Sequence, residues 1–133
     1  MKHTLYLLAP LALSLGACTT SHPDIVTLDG SDSRNCAPLV LDRGQTLILS
    51  LPSNPTTGYR WVVNDDAAPQ LESLGPEVYS NPKGESLIGA DGQSTWRFKA
   101  ATAGDATLRL AYKRPWESDS PPSQSVECAL RVQ

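Results

Sequence analysis

Histidine is all but missing from this chain. Its two copies, His3 and His22, both precede the sustained strand-like patterning, so the body of the sequence has none to pair with a serine or cysteine nucleophile and none to ligate a metal. Paired-carboxylate chemistry is no better served, because Asp65 and Asp66 are adjacent and on a strand would face opposite ways. A Ser-Lys dyad using Lys83, Lys99 or Lys113 is the remaining nucleophilic option, and no recognisable constellation supports it. No enzymatic activity, no metal and no cofactor are therefore expected. Basic runs are lacking too, which argues against a nucleic-acid partner. No apolar run reaches the roughly 18 residues that a membrane-spanning helix needs, and no segment sustains a helical period for three turns.

What is present begins with a leader. Met1-Lys2-His3 is a short basic start, Leu5 to Leu15 an apolar core of 11 residues, and Gly16-Ala17 are small, which reads as a secretory signal over 1–17. Leu15-Gly16-Ala17-Cys18 resembles a bacterial lipobox, which implies cleavage before Cys18 and a lipid on that cysteine. Thr19 in place of Asp resembles the pattern of lipoproteins passed on to the outer membrane, so the expected location is the bacterial cell envelope, with the chain held to the membrane by its lipid alone. Without Lys2, ten Lys and Arg face 14 Asp and Glu, a net charge of −4. Lipidation of Cys18 leaves Cys36 and Cys128 as an even pair in an oxidising compartment, and a disulfide between them is expected.

Residues 18–35 are polar and rich in Ser, Thr and Asp, a tether with one short strand at Ile25 to Leu28. From 36 to 133, period-two alternation recurs: Leu39 with Leu41, Leu47 with Leu49 and Leu51, Trp96 with Phe98, Leu108 with Leu110 and Tyr112, Val126 with Cys128, Leu130 and Val132. Turn signals such as Asp42-Arg43-Gly44, Gly75-Pro76 and Ala103-Gly104-Asp105 separate these runs. The pattern predicts one all-β domain, an immunoglobulin-like antiparallel sandwich of about seven strands, with a small closed barrel as the other candidate. If successive strands alternate in direction, three connections share one end: Pro52 to Gly58, Asn81 to Ser94 and Arg114 to Ser125. These are also the compositionally odd loops, which is how a sandwich presents a binding surface.

The first holds Asn54-Pro55-Thr56-Thr57-Gly58-Tyr59. Asn-Pro starts a turn, Pro55 fixes φ, Gly58 admits a positive φ, and the β-branched threonines have few rotamers, so the tip is stiff and loses little entropy on docking. The second contains Gly89-Ala90-Asp91-Gly92, whose glycines allow close backbone approach. The third opens with Arg114-Pro115-Trp116, and Trp and Arg are the residue types most enriched at binding hot spots.

In this order, and with Trp61, Trp96 and Phe98 following the first two motifs, the chain resembles the chagasin-type inhibitors of papain-like cysteine peptidases from about Cys36 to Val132. The resemblance implies that the three loops wedge reversibly into a peptidase's active-site cleft. Thr56 would then lie closest to the catalytic cysteine, with Thr57 and Gly58 beside it. Trp116, its approach fixed by Arg114 and Pro115, would pack on the primed side, and Gly89 to Gly92 would run along the non-primed side. Asp91 departs from the family's usual glycine. A monomer with a papain-like peptidase as partner is expected. The competing reading is an extracytoplasmic lipoprotein that binds another ligand, such as a lysozyme, a glycan or an envelope component; a Trp116 buried against its own domain would favour it.

Overall fold

The computed structural model describes residues 16, 18, 23–29, 35–81 and 92–133. Among these, nine strands form two facing sheets: β1 (Ile25–Leu28), β2 (Asn35–Leu41), β3 (Thr46–Ser53), β4 (Arg60–Asp66), β5 (Leu71–Ser73), β6 (Val78–Ser80), β7 (Gly92–Ala100), β8 (Gly104–Lys113) and β9 (Gln124–Val132). One sheet runs β1-β3-β7-β5, with β6 also on β7, and the other runs β2-β9-β8-β4. The sheets are open and separate, a sandwich and not a closed barrel.

Alternation builds the core. Leu47, Leu49 and Leu51 of β3 and Trp96, Phe98 and Ala100 of β7 turn inward from the first sheet, to meet Trp61, Leu108, Leu110, Tyr112, Val126, Cys128, Leu130 and Val132 from the second. The intervening residues face solvent, and on the outer face of the second sheet they carry charge. There Arg109 lies between Asp65 and Glu127 at 3.6 and 3.3 Å. The Arg131 guanidinium, hydrogen-bonded to Asp105, holds that carboxyl below the usual carboxylate range.

The cysteine pair is joined as expected: Cys36 and Cys128 form a disulfide across the neighbouring strands β2 and β9. Those strands run parallel, as do β1 and β3, so two of the pairings depart from a purely antiparallel sandwich. The β2–β9 case follows from the alternating directions read in the sequence, which send both strands toward the same end. The short strand at Ile25 to Leu28 is present and packs Val26 and Leu28 against the core, so part of the segment read as tether belongs to the sheet.

β5 was not anticipated. Leu71-Glu72-Ser73 pairs with β7 at Phe98 to Ala100, and β6 pairs with the same strand at Gln93 to Thr95. The two are pieces of one edge, interrupted where Leu74 to Glu77 leave the ladder around Gly75 and Pro76, the Leu74 amide keeping one bond to the Arg97 carbonyl at 2.9 Å.

The strand directions give the molecule two poles. At one, the turn at Asp42–Gln45 is laced to the C-terminus and to the end of β7, with Arg43 donating to Gln133, Gln133 to Leu41 and Gly44 to Ala100, while Ala101 donates to Gln70. At the other, Ser53 faces Gly92 across β3–β7, Arg60 faces Lys113 across β4–β8, and Tyr112 faces Gln124 across β8–β9. The three singled-out connections therefore spring from one pole, as the alternation argument requires.

Candidate functional site

Hydrogen bonds within the first loop hold its tip closed. Residues 55–57 form a single 3-10 turn with Asn54 as its N-cap, whose Oδ1 accepts from the Thr56 amide at 3.2 Å and from the Thr56 hydroxyl at 2.5 Å. The Asn54 carbonyl accepts from the Thr57 amide and hydroxyl at 3.2 and 2.7 Å, and the Gly58 amide donates to the Pro55 carbonyl at 3.1 Å. Gly58 takes a left-handed conformation with φ 81°, the backbone geometry that glycine adopts at no steric cost. Arg60 adds a bond from its guanidinium to the Pro55 carbonyl at 2.9 Å. Thr56 and Thr57 remain exposed at the tip while Asn54, Pro55 and Tyr59 are half-buried, so the hexapeptide divides into a presented part and a supporting part.

The third loop starts with a turn closed by the Glu117 amide on the Arg114 carbonyl at 3.1 Å, which places Pro115 at the position where its fixed φ suits a turn. Arg114 then joins the loops. Its Nε donates to the Thr57 carbonyl at 3.2 Å, its guanidinium carbon sits 4.6 Å from the centre of the Tyr59 ring, and Glu117 accepts from it at 3.4 Å. Trp116 is 68% exposed, yet its ring lies over Gly58, occupying the space that a Cβ at that position would need. Gly58 thus serves twice, by its dihedral and by its missing side chain.

Beneath this junction runs a ring column that the sequence reading did not foresee. Trp61 meets Tyr112 at 4.9 Å between centroids, Tyr112 stacks on Tyr59 at 5.2 Å, and Arg114 caps the column. The Trp61 indole donates to the Pro52 carbonyl at 3.0 Å, and the Tyr112 hydroxyl accepts from the Asn54 amide at 2.9 Å. Core and tip are therefore mechanically continuous. The signal was available in the register, since Trp61 opposite Tyr112 puts Tyr59 and Arg114 beside each other two residues further on.

The second loop is described only in part. Gly89, Ala90 and Asp91 lie outside the described residues, and the departure at Asp91 with them. Gly92 is described: it is the buried first residue of β7, and the Tyr79 hydroxyl and Ser80 carbonyl fill the place of a Cβ. Its lack of a side chain serves the sheet edge. The structure thus brings together Asn54 to Tyr59 with Arg114, Pro115 and Trp116, and adds Tyr112, Trp61 and Glu117 as their supports.

Comparison with known proteins agrees along most of the chain. Residues 40–130 match the model of the family described as Chagasin family peptidase inhibitor I42. Chagasin of Trypanosoma cruzi is 31% identical over 102 residues, covering 75% of this chain and 93% of its own length. Among solved structures, a cysteine protease inhibitor from Entamoeba histolytica superposes with a TM-score of 0.71 at 21% identity, over 82% of this chain and 96% of that one. PbICP-C, solved in complex with falcipain-2, gives 0.55 at 20% identity, over 82% and 98%.

Proposed function

The chain belongs to the chagasin family of peptidase inhibitors, and from that premise we propose that it blocks papain-like cysteine peptidases reversibly, in a one-to-one complex, by inserting the edge formed by Thr56, Thr57 and Trp116 into the active-site cleft. The observation that carries this reading is the junction of Arg114 and Trp116 with Thr57 and Gly58, which makes two loops distant in sequence into one braced edge. Bracing matters because a tip already hydrogen-bonded in its final form has little left to order on docking. It also explains survival. The tip is a closed 3-10 turn, so it offers the attacking thiolate no extended peptide in near-attack geometry. The reading of this pole as a site for an unrelated ligand expected a buried Trp116, and the indole is largely exposed.

Titration of the disulfide-intact protein into papain, followed by hydrolysis of a fluorogenic peptide, tests the proposal. Stoichiometric inhibition with the inhibitor recovered uncleaved is the expected result, and no inhibition at micromolar concentration would overturn it. In the same assay Trp116→Ala should weaken binding by about 2 kcal/mol, some thirtyfold. An unchanged inhibition constant would remove the indole from the interface.

We also assign the protein to the cell envelope, carried there by the signal over residues 1–17 and retained by a lipid on Cys18. The lipobox-like Leu15-Gly16-Ala17-Cys18 supports this, as does an exposed Cys18 left outside the disulfide. Labelled palmitate should enter the wild-type protein and not Cys18→Ser; equal labelling of both would refute the anchor.

A further inference from the structure

The path of β1 determines which way the inhibitory edge faces. β1 runs parallel to β3, with Ile25 beside Thr46 and Leu28 beside Leu49, so it starts at the pole opposite the three loops. The residues before it are pinned there. The Thr46 amide donates to the Asp24 carbonyl at 2.8 Å, and the Gln45 side-chain amide donates to the Pro23 carbonyl at 2.6 Å. Anything that holds the chain upstream of Pro23 therefore pulls on the end farthest from Thr56 and Trp116.

Lengths then limit the orientation. At about 3.3 Å per residue, the seven steps of β3 from Thr46 to Ser53 separate the poles by about 23 Å, before the loops add their own depth. However residues 19–22 are arranged, the five Cα steps from Cys18 to Pro23 reach at most about 17 Å. A domain turned over, with its loops against the bilayer, would hold Pro23 more than a strand length off the surface, beyond that reach.

We infer that the protein presents its three-loop edge to the aqueous phase, and that its partner is a peptidase arriving from solution, as opposed to one whose cleft opens close against the same membrane. This rests on the lipid anchor at Cys18. The geometry at the far pole holds for any attachment through that residue.

Thiol coupling tests the orientation without relying on cellular lipidation. The mature chain, Cys18 to Gln133, contains every strand of the sandwich, and Cys18 is the free cysteine among the described residues. Coupled through Cys18 to maleimide headgroups on phosphatidylcholine vesicles, it should inhibit papain within about twofold of the uncoupled protein. With the attachment moved to the third loop, in a Cys18→Ser, Asp119→Cys variant, coupling should weaken inhibition by about a hundredfold, because the bilayer then blocks engagement. A loss of about tenfold or more on coupling through Cys18, or equal behaviour of the two attachments, would overturn the inference. A second readout is independent of inhibition. Headgroup spin-labelled lipid should leave Trp116 unquenched in the Cys18-coupled protein and quench it in the loop-coupled one, and quenching in the former would overturn the inference. Failure of the uncoupled protein to inhibit papain would count against the proposed target alone, with the quenching still deciding orientation.

Discussion

Gly58→Ala is expected to raise the inhibition constant for papain about a hundredfold, or about 2.7 kcal/mol, while lowering folding stability by only about 1 to 2 kcal/mol. Two costs are superimposed. At φ 81° any Cβ is strained against its own backbone, which accounts for the stability loss. The added methyl also falls within the indole of Trp116, so the ring must leave its seat. Losing a hot-spot tryptophan costs about 2 kcal/mol, and the shift of the tip beneath it supplies the remainder. Gly44→Ala separates the two effects. Gly44 has a comparable φ of 94° with open space around it, at the opposite pole, so alanine there should cost similar stability and leave inhibition unchanged. Urea melts and papain titrations of both variants make the comparison. Wild-type inhibition by Gly58→Ala would show that the indole leaves Gly58 when the complex forms.

Reducing the Cys36–Cys128 bond should have a still larger effect, on a different quantity. The bond joins residues 92 apart, and on the chain-entropy model freeing a loop of that length in the unfolded state costs about 4 kcal/mol. For a domain of this size the melting temperature should fall by about 15 to 30 °C. Inhibition at 25 °C by molecules that remain folded should persist, since the bond ties the edge strand β2 to the middle of β9 and neither cysteine belongs to any of the three loops. Calorimetry with and without reductant checks the first part. An unchanged melting temperature would mean that the bond constrains a denatured state already compact.

The strands that could be read in the sequence were those long enough to alternate several times. β7, β8 and β9 each run nine or ten residues with inward positions that alternate and are mostly apolar, the buried Ser94 of β7 being polar. β5 has a single buried residue, Leu71, among its three, and three residues do not establish a period. The candidate site was legible as composition and order but not as contact. That Asn54 caps its own turn could be inferred from the local motif. That Trp116 needs Gly58 could not, because the two lie 58 residues apart and meet only through the pairing of β4 with β8. Gly92 has a packing role that the sequence does not reveal: a glycine beside a glycine loop suggests ligand approach, and only the structure shows that its missing side chain makes room for Tyr79 and Ser80.

The interrupted edge of β5 and β6 bears on the protein's own survival. Papain-like enzymes take substrate as an extended chain, a strand laid along a cleft by its backbone amides and carbonyls. An uninterrupted outer strand would be a second place for such an enzyme to grip, as well as a template for another copy of the inhibitor. Here the edge comes in two lengths of three residues with Gly75 and Pro76 between them, and Pro76 has no amide to offer. Neither length can fill a cleft or zip to a neighbour. The flank is thus poor food for the peptidase that the loops at its end are shaped to stop.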